Sequence, residues 1–142
     1  MDAVILENKL DSLGRCMQRV EDKCPDNAAT LRDDPDLQDI VVLNLSRAVH
    51  ICVDIATHWL ADSSQPAPAT MGQSFELLAR EGWIRDSLAE RLKKSVGFRN
   101  IALQNYENLD WIIVHAVATR HLDDFRALAR AVSRYLSGGG EG

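Results

Sequence analysis

Gly97-Phe98-Arg99-Asn100-Ile101-Ala102-Leu103-Gln104-Asn105-Tyr106 interrupts an otherwise aliphatic chain with a dense set of polar groups. An arginine is always charged, and its planar fork of donors suits a phosphate. Asn100 both donates and accepts hydrogen bonds. Tyr106 carries a phenol that donates a hydrogen bond or attacks an activated phosphate. Gln104 hydrogen-bonds but cannot titrate, whereas a histidine there would exchange a proton near neutral pH. At about 100° per residue, positions 99 and 106 of a continuous helix fall within roughly 20° of each other, and position 104 lies roughly 140° from 99. Arg99 and Gln104 therefore meet one phosphate only if the helix ends near Asn105 or if a second chain completes the site.

The segments on either side read as helices. Towards the N-terminus, Ser87-x-x-Glu90 is a capping box that opens the motif helix, which runs through Val96 towards Leu103. Gly97 inside it costs roughly 1 kcal/mol relative to alanine, which close approach of another helix would explain. Thr70-x-x-Gln73 is a second capping box, for a short helix ending at Gly82. Residues 62–70, rich in serine, proline and alanine, form a loop. Asp33-Asp34-Pro35 starts a long helix reaching Ala61. Its wide stripe, from Leu37 to Trp59, makes it central, with Asn44 and Arg47 as polar positions facing a partner or solvent. Leu6, Leu10, Leu13, Met17, Val20 and Cys24 recur at helical spacing, predicting a helix over 2–24 that Pro25 stops; a short turn of helix over 27–32 follows. Beyond the motif, Asn108 caps one last helix through Leu136, with Leu109, Ile112, Ile113, Ala116, Val117, Leu122, Phe125, Leu128 and Val132 on its stripe. Trp59, Trp83, Phe98 and Trp111 read as core. The expected fold is all-α, an antiparallel up-and-down bundle of four to six helices. Residues 1–137 form one domain, and 138–142 a disordered glycine-rich tail.

A chain of 142 residues with 46% hydrophobic content supports a single core. Its net charge of −5 argues against general coating of nucleic acid. The charges are uneven. Residues 1–40 hold ten acids against five bases, and residues 80–99 hold six bases against three acids. That basic stretch either steers a polyanion towards the motif or is a solvated helix face. Cys16, Cys24 and Cys52 make an odd count without a C-x-x-C, and no signal peptide is visible, which points to a reducing cytoplasm. Cys16 reads as core. The longest apolar run is too short to span a membrane. His50, His58, His115 and His121 make no metal-ligand spacing, so neither metal nor cofactor is expected. His115, nine residues beyond Tyr106, is a remote candidate for a titrating group near the motif.

The pattern Arg99-x4-Gln104-x-Tyr106, the approach to it from Gly82 and the helix order resemble the HEPN superfamily, most closely its HepT branch. The family motif is Arg-x4-His-x-Tyr, so Gln104 stands at the histidine. The resemblance implies a HEPN-like dimer whose two motifs face each other across a cleft. It implies metal-independent RNA cleavage, in which the RNA's own 2′-hydroxyl attacks the adjacent phosphate. Arg99 would stabilise the phosphorane charge, Asn100 would support the site, and position 104 would handle protons. With Gln104 that last contribution should be missing, whether by deliberate replacement or natural decay. The resemblance also implies a partner, an MntA-like nucleotidyltransferase antitoxin that transfers AMP to Tyr106, and an RNA substrate, tRNA or mRNA. A non-catalytic helical dimerisation or binding module partnering a nucleotidyltransferase is the alternative.

Overall fold

In the computed structural model of the chain, which describes residues 2–138, seven α-helices and two 3-10 turns are found among the described residues. They are α1 (Ala3–Lys23), α2 (Ala28–Arg32), α3 (Pro35–Trp59), α4 (Gln73–Arg80), α5 (Asp86–Gln104), α6 (Trp111–Arg120) and α7 (Leu122–Leu136). The 3-10 turns are Leu60–Asp62 and Tyr106–Asn108. The expected tail falls on residues 139–142, outside the described residues, apart from Gly138.

Local chemistry sets most of the starts and stops. The Asp2, Asn27, Asp34 and Asp110 side chains each accept from first-turn N–H groups of α1, α2, α3 and α6. Pro35 follows its cap, where its missing N–H costs nothing. The Thr70 hydroxyl accepts from the Gln73 N–H at 3.1 Å and the Gln73 side chain accepts from the Ala69 N–H, so the expected reciprocal cap forms one residue early. Gly82 ends the α4 segment at φ +75°, with its own N–H on Ala79 and the Trp83 N–H on Leu78.

α3 contacts every other α-helix. Its residues Val41, Leu45, Ala48, Val49, Cys52, Ile55, Ala56 and Trp59 are all buried, in a core that also holds Leu6, Leu13 and Cys16 of α1, Phe75 of α4, Leu92 of α5 and Phe125 of α7. Burying a large apolar side chain contributes about 1.5–3 kcal/mol, so this central helix carries much of the fold. Counted with its 3-10 extension, it is long and apolar enough by composition to cross a bilayer, with a mean hydropathy of 1.5. No unbroken apolar run of that length is present in it; the averaged window tolerates the polar residues that interrupt it. Here that apolar surface is covered by the neighbouring helices.

Several local expectations change, among them the cap of the helix after the motif, which is Asp110 rather than Asn108. The Ser87-x-x-Glu90 box does not open α5. The helix starts at Asp86 after an extended Arg85 with no side-chain cap, because burial of Ile84 and Leu88 anchors the chain from Gly82 inward. The single C-terminal helix is two, broken at His121 (φ −103°, ψ 0°). The break lets α6 pack on α2 while α7 turns its stripe onto α3 and α5. Ile112 and Ile113, assigned to the buried stripe, are exposed; Val114 and Ala118 are the buried residues of α6. Asn44, read as facing a partner or solvent, is buried and donates to its own helix at the Ile40 carbonyl, 2.8 Å away.

Gly97 was expected to admit a neighbouring helix, yet a Cβ built there meets nothing within 4 Å. Gly97→Ala should therefore stabilise the isolated chain by roughly 0.5–1 kcal/mol through lower backbone entropy in the unfolded state. Denaturant unfolding checks this as a higher midpoint at unchanged slope. A loss of stability would mean that another chain occupies the space.

Candidate functional site

α5 stops at Gln104. Asn105 leaves helical geometry (φ −139°, ψ 46°), and Tyr106 begins a 3-10 turn. The helix does end near Asn105, but Arg99 and Gln104 both lie inside it and still project roughly 140° apart, so within one chain they do not meet. The motif residues consequently point to different surroundings.

Arg99 is partly buried and lines a groove of about 490 Å³ between α1, α3 and α5. Lys9, Arg47, His50 and Leu103 also line it. One guanidinium nitrogen of Arg99 lies 3.9 Å from the Met71 sulfur, a weak partner. Its Nε is shut off from solvent with no hydrogen-bond partner, and so is the Ser46 hydroxyl in the same groove. Buried polar groups are nearly always paired; the Trp59 indole N–H in the core is the third such group among the described residues. The groove is cationic overall. Asp54 offsets part of that charge, at 3.3 Å from the Lys9 ammonium and 3.6 Å from the His50 imidazole. Arg47 has no carboxylate within 4 Å among the described residues.

Asn100 and Gln104 are exposed and make no side-chain hydrogen bond among the described residues. Gln104 ends the helix that carries Arg99, and the imidazole that lines the Arg99 groove is His50 of α3. His115 is not a substitute. It lies on α6, with its imidazole 2.8 Å from the Pro25 carbonyl.

Tyr106 is half-buried, its ring edge-on to Trp111 at 6.0 Å between centroids, and its hydroxyl donates to the Asp39 carboxylate on α3. Asp39 precedes Leu43, another groove residue, by one helical turn, about 6 Å along the axis. The phenol thus sits just off one end of the groove that holds Arg99. Burial, the hydrogen bond to Asp39 and its negative charge all push the phenol well above the ordinary tyrosine range. A phenol raised in the folded state contributes stability that is complete below the unfolded value near pH 10 and is lost as pH rises through the folded value. Tyr106→Phe should therefore leave unchanged the phenolate absorbance that develops up to about pH 11. Asp39→Asn should bring part of the Tyr106 titration down into that range, and only part, because burial remains.

Sequence reading picked out Arg99, Asn100, Gln104 and Tyr106, and it noted Arg47 as an exposed polar position. It missed Asp39, Lys9, Ser46 and His50. The available signal was the exposed series Leu43, Arg47 and His50, at spacings of four and three opposite the buried stripe of α3. Among the described residues no group of three or more His, Cys, Asp or Glu side chains is arranged to hold a metal ion.

The sequence matches the family described as Ribonuclease HepT-like over residues 13–132. The mRNA nuclease HepT of Shewanella oneidensis is 39% identical over 121 residues, covering 85% of this chain and 90% of that protein. Two solved structures share the fold closely. One, a toxin–antitoxin with AMP-PNP, superposes with a TM-score of 0.85 at 36% identity, over 91% of this chain and 97% of the other. The other is the tri-AMPylated HEPN toxin of Shewanella oneidensis in complex with MNT antitoxin, with a TM-score of 0.86 at 36% identity, over 94% of this chain and 98% of that one.

Proposed function

The chain belongs to the HepT-like ribonuclease family, and from that premise we propose that it is the toxin subunit of a toxin–antitoxin pair, an RNA endonuclease scaffold impaired by Gln104. The observation that carries this reading is Arg99, half-buried in a cationic groove with a donor unspent. An RNA phosphate entering that groove would satisfy the guanidinium in the ground state. It would bind more tightly still as a second negative charge develops on the phosphorane. The attacking 2′-hydroxyl must lose a proton and the leaving 5′-oxygen must gain one. A glutamine at 104 does neither, so electrostatic stabilisation survives without general acid–base help. The test restores histidine at position 104 and follows RNA cleavage, with Arg99→Ala in the same background as control.

The same surface supports a dimer. Leu43, Ile101 and Leu103 are 56%, 60% and 58% exposed around the motif. Leu43 and Leu103 line the Arg99 groove itself; exposed apolar side chains there suit an interaction surface, and a second copy seated there would bring a second Arg99 to the same cleft. RNA, whether tRNA or mRNA, is the proposed substrate.

A second reading, a binding module modified by a nucleotidyltransferase antitoxin, is favoured by the contact between Tyr106 and Asp39. The Shewanella toxin is named as tri-AMPylated in its complex with MNT antitoxin. In this chain the Tyr106 oxygen would attack the α-phosphorus of ATP. The new O–P bond forms as the bond to the β-phosphate oxygen breaks, pyrophosphate leaves, and the phenolic proton passes to Asp39. The raised phenol makes that acceptor necessary, because little phenolate exists at neutral pH. The two readings are compatible, since neither Tyr106 nor Asp39 depends on the residue at 104.

A further inference from the structure

We propose that the seam between α5 and α7 is a second phosphate-binding site, which holds the backbone of the RNA strand whose reacting phosphate lies at Arg99. The inference rests on the ribonuclease reading and concerns a different part of the molecule.

Arg85, Arg91, Arg130 and Arg134 line one cavity of about 440 Å³. Arg130 and Arg134 stand four residues apart on α7, so they project from one face, where like charges repel. Arg91 is held by the buried Asp124 carboxylate at 2.7 Å. The guanidiniums of Arg85, Arg130 and Arg134 have no carboxylate within 4 Å among the described residues. The contrast with Arg126 is direct. One turn earlier on α7, it pairs with both Glu21 and Asp123. Among the described residues, three arginines of a single cavity thus go without a carboxylate partner, in a chain with 21 acids and 16 bases.

The start of α5 adds to this field. Arg85 occupies the N-cap without a capping side chain, so first-turn N–H groups lack intrahelical acceptors and the positive end of the helix dipole faces the same region. Asp86 offsets part of it. Guanidinium forks from the start of α5 and from α7 suit phosphate oxygens.

The ligand is a nucleic-acid backbone rather than a free nucleotide, because the aromatic ring that lines this cavity is already engaged. Trp83, the aromatic side chain of the cavity, already stacks on Trp59 at 5.0 Å and packs against Tyr135 at 5.0 Å. Arg91 and Lys94 share a neighbouring pocket, and Arg99 follows five residues after Lys94, roughly 140° around the helix, so a strand joining the two sites would have to cross the α5 surface. From residue 85 to residue 99 the helix rises roughly 21 Å, roughly six nucleotides of a stacked strand.

The experiment measures binding of a mixed-sequence single-stranded oligoribonucleotide to the native chain and to the triple variant Arg85→Ala, Arg130→Ala, Arg134→Ala across a salt series. Three lost phosphate contacts should lower the slope of log affinity against log salt by about 2. The fall in affinity between 50 and 200 mM salt should then be roughly 20-fold smaller. The triple lysine variant keeps the charges and should keep the slope, even if the alanine variant folds poorly. RNA binding with an unchanged slope in a folded alanine variant overturns the proposal and leaves the ribonuclease reading intact. Displacement of RNA by ATP as effective as by an oligoribonucleotide of equal charge also overturns it, in favour of a nucleotide pocket. Failure of the native chain to bind RNA removes both.

Discussion

Replacing Gln104 by histidine is expected to raise RNA cleavage about 10²–10⁴-fold over the native chain, the usual contribution of a positioned acid–base group. Gln104 is exposed at the last position of α5 and makes no side-chain hydrogen bond among the described residues, so the substitution should not disturb packing. The gain should follow a pH profile with a limb near the ordinary histidine range, which a purely structural effect would not produce. Arg99→Ala in the restored background should remove about 10²–10³-fold of the rate, because it takes away the charge that meets the developing phosphorane. Expression of the histidine form should slow host growth, and the double variant should relieve it. A histidine form that neither cuts RNA nor slows growth would exclude the toxin reading for this chain.

Tyr106→Phe should abolish AMP transfer by a cognate nucleotidyltransferase and ATP, read as loss of the adenylate mass increment on the intact chain. The substitution removes one oxygen and preserves the ring against Trp111, so it separates chemistry from packing. Asp39→Asn keeps the side-chain shape and loses the carboxylate that takes the proton. Transfer should slow about 10²–10⁴-fold in that variant. Slowing in Asp39→Asn that disappears at high pH would identify Asp39 as the proton acceptor, because free hydroxide then replaces it. An adenylate increment that persists in Tyr106→Phe would move the acceptor elsewhere. Adenylation here would set bulk and negative charge beside the groove of Arg99, one turn along α3, which gives neutralisation a direct electrostatic cause.

The elements of the bundle were legible because their causes are local. Apolar residues three and four apart outline α1 and α3, Asp34 before Pro35 starts the central helix, and Gly82 accepts the left-handed turn after α4. Capping was less legible at Arg85, where burial of Ile84 outweighed a well-formed Ser-x-x-Glu pattern. The break at His121 was invisible, since the apolar period runs through it unchanged and only the demand to cover α2 on one side and α3 and α5 on the other divides the helix. Ile112 and Ile113 fit the stripe by residue type, and their exposure depends on which neighbours exist.

Of the motif, Arg99, Gln104 and Tyr106 were readable as residue types at a spacing. What surrounds them was not. Lys9, Arg47 and His50 reach the Arg99 groove from helices some 50–90 residues away in the chain. Asp39 meets Tyr106 across 67 residues, and periodicity carries no record of such a meeting. By itself, then, the order of amino acids determined most of the helices, the central role of α3 and the identity of the groups available for phosphate chemistry, because backbone hydrogen bonding and hydrophobic period act within a few residues. Tertiary packing alone decided which cations share a groove, which carboxylate holds the phenol and which arginines go unpaired, because Coulomb and hydrogen-bond interactions depend on distance in space and are indifferent to separation along the chain.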